Sequence, residues 1–440
     1  MKQLQRLSFI VVSLTLSTLT FAQVNMNLWF SGIAVQAEFL QNAIDEYNQS
    51  QSAISITLVE TPASRESIAT AIAGRQGPDI MWYNQNMPWF FGIEAVYPLN
   101  DFVTDPDIGI SADQLFPASR MAAQYGGVVM AIPVSGCPGG LMYNRTIFQE
   151  AGLTDDDAPR TWEDVTRLAN LLTIRNGDEI IQYGLVNASV DWMLQEVNLS
   201  NGSDWSSEDL STYITHPERL VEGLEWWSSL HLEDGVLPIP SGVTWAGVES
   251  LQVGSEAFVR GEAAMRGFSG ICEIAGILDQ NPDLDISVVL TPLGPSSDGL
   301  RTISPGIDGF FVMAQNPNPR EAYLFTKWFF EEKALDFVKV SPGRIPSTTA
   351  ALSDPFFSED PYLGFGRVIE DLQTARLRNF HVFPGRLDVR SQEPAIAESV
   401  FLQRATPQQA VDRFLVHAKD VFNLYRLDLD EFLEDHRIVW

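Results

Sequence analysis

Amides, carboxylates and aromatic rings are the side chains of this sequence best suited to chemistry. The run 83–89 combines Asn84 and Asn86 with Trp89 in a loop that follows a short apolar strand. Planar amides hydrogen-bond hydroxyl groups in pairs, and aromatic faces cover apolar C–H surfaces. This combination suits a neutral ring that carries many hydroxyl groups, although Trp89 could equally belong to the core face of the short helix that follows.

Other candidates lie beside predicted strand ends. Asn187, Asp191 and Trp192 follow a predicted strand, where N-capping by the acid or amide and core packing by the indole are the alternative roles. Asp308 lies among glycines at a strand entry, where it could accept hydroxyl groups or remain a solvated turn carboxylate. Arg386 offers a planar fork of donors to hydroxyl groups, or a surface ion pair.

The sequence lacks the common catalytic motifs. The five histidines show no HExxH or triad-like context, and no Gly-x-Ser-x-Gly or Walker-type loop occurs. No CxxC or histidine-rich spacing indicates a metal, and we expect no cofactor. Acidic residues number 57, so carboxylate pairs arise by number alone, and a glycoside hydrolase with two carboxylates is the rival class.

Length and charge narrow the class further. A chain of 440 residues that is 45% hydrophobic is too long for one ordinary core and predicts two lobes. The net charge of −29 repels phosphate backbones and anionic lipid, so we expect no binding to nucleic acid. Adaptation to a saline medium and an ordinary acidic exported protein both explain this charge.

The first 22 residues have the pattern of a signal peptide. Lys2 and Arg6 precede an apolar, hydroxyl-rich segment that ends at Ala22, after which we expect cleavage; a buried N-terminal helix is the alternative. The residue directly after Ala22 is Gln23 rather than a cysteine that could carry a lipid, and no later apolar run is long enough to span a membrane. We therefore expect a free periplasmic protein without stable membrane insertion.

Alternating strands and helices must position the candidate residues. The pattern predicts a strand over 24–30, a helix over 34–47 and a strand over 54–59, which together form a right-handed β-α-β unit. Near the centre, an apolar strand ends at Val134, residues 135–140 break the ladder with glycine and proline, and 141–143 resume it. Thr161 is the predicted N-cap of an amphipathic helix, with Asp164 at the capping-box position.

Several segments closely resemble the sugar-carrying branch of the extracellular solute-binding proteins of bacterial ABC importers. The matching segments are Gly77-Pro78-Asp79-Ile80, Tyr125-Gly126-Gly127, Ile132-Pro133, Tyr143-Asn144-Arg145, Glu150-Ala151-Gly152-Leu153, Thr161-Trp162-Glu163-Asp164 and 257–265. The resemblance implies an α/β, two-lobed periplasmic binding protein (type II) fold with hinge strands between the lobes. It assigns 23–134 plus 300–343 to lobe 1 and 135–299 plus 344–440 to lobe 2, with crossings near Val134, 293–304 and Arg344.

The resemblance also implies a cleft between the lobes. At 267–273 the family's tryptophan is absent, which favours Phe268, Cys272 or Glu273 as lining residues. The cleft residues implied in this way include Trp29, Ser31, Cys137, Trp245, Phe268, Glu273 and Arg344. Cys137 and Cys272 both fall in cleft-lining segments. They could form a disulfide with each other or remain as two buried thiols.

The function implied by the resemblance is transport rather than catalysis. The implied ligand is a small-molecule carbohydrate, a mono- or oligosaccharide, which a monomeric binding protein would deliver to the transmembrane subunits of an ABC permease. A secreted carbohydrate-active hydrolase, or binding of a non-sugar solute such as a glycerol-phosphate derivative, are the alternatives.

Overall fold

The computed structural model describes most of the chain after the N-terminal segment. The described residues are 23–61, 65–82, 90, 93–187, 190–207, 212–237, 256–303, 307–359, 364–377 and 385–436. The predicted signal peptide over 1–22 lies outside these ranges, as do four predicted site residues: Asn84, Asn86, Trp89 and Trp245.

Strands and helices alternate along the chain, as the sequence predicts. The strands are β1 (Val24–Phe30), β2 (Ile54–Glu60), β3 (Ile80–Trp82), β4 (Gln124–Tyr125), β5 (Val128–Val129), β6 (Ile132–Gly136), β7 (Gly139–Asn144), β8 (Ile174–Asn176), β9 (Glu179–Asn187), β10 (Ala263–Gly270), β11 (Ile286–Leu290), β12 (Thr302–Ile303), β13 (Ile307–Val312), β14 (Ile345–Pro346) and β15 (Arg376–Leu377).

The helices cover the faces of the sheets. They are α1 (Ala34–Ser50), α2 (Arg65–Ala73), α3 (Asn100–Val103), α4 (Pro117–Ala122), α5 (Arg145–Glu150), α6 (Trp162–Leu172), α7 (Val190–Ser200), α8 (Pro217–Leu232), α9 (Ile274–Gln280), α10 (Pro319–Glu332), α11 (Ala334–Lys339), α12 (Pro355–Glu359), α13 (Phe365–Thr374), α14 (Arg386–Arg390), α15 (Glu393–Phe401) and α16 (Pro407–His436). Within the described ranges, none of them is both long and apolar enough to cross a bilayer.

Two separate sheets organise the molecule. The first has the order β14-β6-β13-β3-β1-β2, and the second has the order β11-β7-β10-β9-β8. In the first sheet β1 is parallel to β2 and β3, and these β-α-β units place their carboxyl ends at one edge. Aromatic rings fill the core beside this sheet, where Trp82 packs against Phe310 and Phe337 at centroid distances of 4.9 and 5.0 Å.

The chain passes between the two sheets at three places. The first passage is shorter than the sequence predicts, because β6 continues to Gly136 and β7 begins at Gly139. Only Cys137 and Pro138 therefore lie between the strands, rather than all of 135–140. A glycine can occupy a ladder position when its backbone geometry is regular, which is why the glycines at both ends remain paired.

The other two passages fall near the predicted crossings at 293–304 and Arg344. Ahead of β13, Arg301 ion-pairs with Asp371, and β12 pairs with β15, whereas β13 itself lies in the first sheet. Just after Arg344, the strand β14 pairs antiparallel with β6 in the first sheet. The exact lobe boundaries, at 134/135, 299/300 and 343/344, stay predictions.

Helix α6 begins with the capping box that the sequence predicts. The Thr161 hydroxyl accepts from the Asp164 backbone N–H at 3.2 Å, and the Asp164 carboxylate accepts from the Thr161 backbone N–H at 3.1 Å. We expect Thr161→Ala to lower the free energy of unfolding by about 1 kcal/mol, because it leaves the helix N–H groups without this acceptor. Urea denaturation measures the change. Thr146→Ala is the matched control, since Thr146 is exposed and lies at the start of α5, where Asn144 provides the cap; equal losses in the two variants would contradict the capping role.

Candidate functional site

One edge of the first sheet collects four of the predicted site residues. The parallel strands β1 and β3 end here, and the antiparallel β13 begins here. Trp29 is half-buried near the end of β1, and Ser31 follows that strand as an exposed residue. Asp308 lies at the start of β13, and Arg344 directly precedes β14, which pairs with the end of β6. The edge thus presents an indole, a hydroxyl, a carboxylate and a guanidinium.

The corresponding edge of the second sheet lies next to it. Asn187 ends β9 and pairs with Gly267 of β10, while Gly270 of β10 pairs with Gly139 at the start of β7. Because only two residues separate β6 from β7, the two edges meet at the first passage between the sheets. Ligands bind outside the carboxyl ends of strands in open α/β sheets, so this junction is the candidate site.

An ion pair joins two of the predicted residues at the edge of the first sheet. The Arg344 guanidinium contacts the Asp308 carboxylate, and the two side chains are 14% and 15% exposed. The Ser135 hydroxyl also donates to Asp308 Oδ2, at 3.3 Å. Burial lowers the pKa of Arg344 to about 10, which still leaves it charged near neutral pH.

A second ion pair lies at the edge of the other sheet. Arg266 Nη2 is 2.5 Å from Glu273 Oε2, and the side chains are 7% and 33% exposed. Arg266 Nη1 also donates to the Ser269 hydroxyl at 3.0 Å, so the guanidinium extends along β10 toward the cleft edge. Glu273 is therefore a partner of Arg266 in addition to being a predicted lining residue. Sequence reasoning missed Arg266 and Ser135, since each looks like an ordinary strand residue.

A disulfide fixes the first passage to the second sheet. Cys137 lies between β6 and β7, Cys272 lies in the 3-10 turn Ile271–Glu273, and the two form a disulfide with a Cα–Cα distance of 5.3 Å. Gly343, from the third passage, packs against the same turn. A Cβ on Gly343 would lie 2.2 Å from the Ile271 carbonyl oxygen, and its φ of +80° favours glycine. Two of the passages therefore meet at this turn.

Trp192 lies directly beside the disulfide. A Cβ on Gly270 would lie 2.6 Å from Cys137 Sγ and 3.3 Å from Trp192 Cη2, so the indole and the sulfur both pack against a bare glycine backbone. Trp192 is half-buried in the first turn of α7, which begins just after the cleft end of β9. This position gives the second sheet an aromatic surface at the junction.

Phe268 occupies the interior rather than an accessible position. It is 2% exposed, and its ring packs edge-on against Trp226 at a centroid distance of 5.4 Å. Trp226 in turn stacks on Trp162 at 4.4 Å with an interplanar angle of 11°. Phe268 has a φ of +54°, which turns the chain at the bulge in β10. Its predicted contact with ligand therefore disagrees with its burial, because the local backbone directs the ring into the core.

Of the remaining predicted residues, Asn187 has a hydrogen-bond partner within its own lobe, whereas Asp191 and Arg386 are described by their helix positions alone. Asn187 is half-buried, and its Oδ1 accepts from Trp227 Nε1 at 3.2 Å, so the oxygen is engaged within the lobe. The backbone places Asp191 second in α7 and Arg386 first in α14. These two assignments as ligand contacts stay predictions.

A buried carboxylate near the junction was not predicted from the sequence. Glu196 is 1% exposed, lies one helical turn after Trp192, and accepts from the Thr291 hydroxyl at 2.6 Å. A Cβ on Gly139 would lie 2.0 Å from the Glu196 carboxyl carbon, so only glycine fits above it. The sequence signal that could have identified Glu196 is its spacing of four residues from Trp192, because this spacing places the two residues on one face of a helix.

Comparison with known families identifies a match over most of the chain. The model of the bacterial extracellular solute-binding proteins matches residues 33–335. A maltotriose-binding protein of Pyrococcus abyssi (strain GE5 / Orsay) is 20% identical over 355 residues, which cover 78% of this chain and 71% of that protein. The sn-glycerol-3-phosphate-binding periplasmic protein UgpB of Brucella abortus (strain 2308) is 25% identical over 166 residues, which span 36% of this chain and only 38% of that relative.

Solved structures show the same fold. The cyclic alpha-maltosyl-1,6-maltose binding protein of Arthrobacter globiformis superposes with a TM-score of 0.73 at 19% identity, covering 91% of this chain and 99% of that one. At this identity the likeness establishes the fold alone. The predicted fold class, a two-lobed α/β periplasmic binding protein of type II, is confirmed by this likeness together with the two open sheets.

Proposed function

Because the chain belongs to the bacterial extracellular solute-binding proteins, we propose that it is the substrate-binding protein of an ABC transporter and captures a neutral mono- or oligosaccharide between its lobes. The observation that carries this proposal is the junction of the two sheet edges. There the half-buried Trp192 packs beside Gly270 and Cys137 at the edge of the second sheet. Ser31 and Asp308 lie at the facing edge of the first sheet, and Glu273 lies in the turn that holds the disulfide. An aromatic face and hydroxyl-binding groups from opposite lobes are what a pyranose ring requires.

The comparisons support a sugar as the ligand class. The Pyrococcus relative binds maltotriose by its name, and the Arthrobacter structure is that of a binding protein for a cyclic maltose derivative. The glycerol-phosphate relative matches a much smaller share of this chain. A glycerol-phosphate ligand is also disfavoured by the site, because the arginines that the described residues place at the two edges, Arg266 and Arg344, are already paired with carboxylates.

Binding would act through closure of the cleft. A ligand that contacts both edges stabilises the closed arrangement only to the extent that it binds that arrangement more tightly than the open one. The three passages between the sheets are the connectors about which the lobes would rotate. The closed complex of a periplasmic monomer would then dock on the transmembrane subunits of the permease and release the sugar unchanged.

Hydrolysis is the second function class that the sequence leaves open, and the family assignment disfavours it. Members of the family are solute-binding components of transporters. Two of the carboxylates at the junction are also already engaged by arginines, Asp308 by Arg344 and Glu273 by Arg266, rather than left free as a catalytic pair.

Isothermal titration calorimetry tests the proposed function. We expect maltotriose, mannobiose or another neutral oligosaccharide to bind with a dissociation constant in the micromolar range or below, and sn-glycerol 3-phosphate to bind at least tenfold more weakly. Incubation of the bound sugar with the protein should leave it intact by chromatography. The proposal is wrong if no sugar of the panel binds, or if new reducing ends appear.

A further inference from the structure

Resting on the proposed function, we propose that Asp308 and Glu273 set the charge specificity of the cleft. Each carboxylate neutralises one arginine, Arg344 at the edge of the first sheet and Arg266 at the edge of the second. The cleft consequently admits neutral sugars and rejects sugars that carry a carboxylate or phosphate. Without these two acids, the same arginines would form an anion site.

The first pair is placed where the lobes meet. Asp308 pairs with Ser135 in the ladder between β13 and β6, and Arg344 immediately precedes β14, which pairs with the same end of β6. The residue before the arginine, Gly343, touches Ile271 and Cys272 of the other lobe. The guanidinium therefore lies at the base of the junction, in contact with the connector rather than on the outer surface.

The second pair has an equivalent place in the other lobe. Arg266 is one residue from Gly267, which pairs with Asn187 at the cleft end of β9. Glu273 closes the 3-10 turn that holds the disulfide, and it is 33% exposed, so its carboxylate remains reachable. Each lobe thus has an ion pair between a largely buried arginine and an acid. The acid is more exposed than the arginine in the Arg266–Glu273 pair, and about equally exposed in the Arg344–Asp308 pair.

Both guanidinium groups have unused hydrogen-bonding capacity. The Nε atoms of Arg266 and Arg344 are buried and have no hydrogen-bond partner among the described residues. A guanidinium with free donors binds carboxylate or phosphate strongly, in a bidentate manner. An anionic ligand can bind one of these arginines in a bidentate manner only after it displaces the carboxylate that the arginine already holds. That carboxylate also repels the anionic ligand.

A neutral sugar meets no such obstacle. Its hydroxyl groups can donate to the remaining lone pairs of a carboxylate that stays paired with its arginine. The net charge of −29 adds a repulsive field for anions over the whole protein. Discrimination would nevertheless be local, because salt screens the general field over about 8 Å at physiological ionic strength.

The test compares one neutral sugar with its uronate. The probes are maltotriose or mannobiose, whichever the wild-type protein binds, and the same sugar with its non-reducing 6-hydroxymethyl group oxidised to a carboxylate. In the wild type, we expect the uronate to bind at least tenfold more weakly. In Asp308→Asn and in Glu273→Gln, we expect the ratio of the two affinities to shift by at least tenfold toward the uronate, and the shift should diminish in 1 M NaCl.

Two further variants separate specificity from folding. Asp354→Asn removes the acid of the Asp354–Lys339 ion pair, whose side chains are 23% and 30% exposed. This pair involves neither Arg266 nor Arg344, so the affinity ratio should not change. The double variant Asp308→Asn with Arg344→Met removes the pair as a unit and should show no gain for the uronate. If Asp308→Asn does not fold, Glu273→Gln decides the question.

The outcomes distinguish the two proposals. If the wild type binds no neutral sugar, the proposed function is wrong and this inference falls with it. If the wild type binds a neutral sugar but both single variants keep its affinity ratio, the charge-specificity inference alone is wrong. The same conclusion follows if the wild type binds the uronate as tightly as the neutral sugar.

Discussion

Replacing Cys137 and Cys272 together with alanine should lower the free energy of unfolding by about 4 kcal/mol. The disulfide closes a loop of 135 residues, and cross-linking residues so far apart removes many conformations from the unfolded chain. The loss should also include part of the packing at the turn Ile271–Glu273, against which Gly343 fits with no space for a side chain. Urea denaturation of the oxidised wild type and the double variant measures the difference.

Reduction provides the control for this prediction. The wild type in a strong reductant should approach the stability of the double alanine variant, whereas the variant itself should not respond to the reductant. A loss below about 1 kcal/mol in both experiments would contradict a stabilising role for the Cys137–Cys272 disulfide. Ligand affinity measured on the same samples reports separately on the junction, because Cys137 Sγ packs beside Trp192 and Gly270.

Local chemistry made much of the fold predictable. The capping box of α6 is specified within four residues, and the structure reproduces it with both reciprocal hydrogen bonds. The predicted strand over 24–30 and the predicted helix over 34–47 correspond to β1 and α1, because the apolar spacing over each is long and regular. A strand of two residues, such as β14, has no apolar pattern of its own, so the sequence does not predict that it pairs with β6.

The site was less predictable because its contacts are distant in sequence. Asp308 and Arg344 were each predicted as cleft residues, but nothing in their neighbourhoods indicates that they form an ion pair with each other. Phe268 was chosen because the family's tryptophan is absent nearby, yet a positive φ directs it toward Trp226. The aromatic surface at the junction belongs instead to Trp192, on another element of the same lobe.

Replacing Trp192 with alanine should weaken sugar binding by about 2 kcal/mol, or roughly 30-fold in Kd. The indole is half-buried at the first turn of α7 and rests on Gly270, so truncation removes the aromatic face without exposing a large part of the core. Aromatic rings contribute both buried area and contacts to the C–H groups of the ligand. Titration of each variant with the neutral sugar that the wild type binds measures the loss.

Conservative replacement and a distant tryptophan complete the test. Trp192→Phe keeps an aromatic face and should recover at least half of the lost binding free energy, whereas Trp192→Leu, which keeps only apolar area, should recover less. Trp328 is also half-buried, but it packs against Tyr47 at a centroid distance of 4.9 Å on α10 of the first lobe. Trp328→Ala should therefore reduce stability without changing affinity. An unchanged Kd for Trp192→Ala, in a variant whose unfolding transition is otherwise normal, would show that the ligand does not contact this surface.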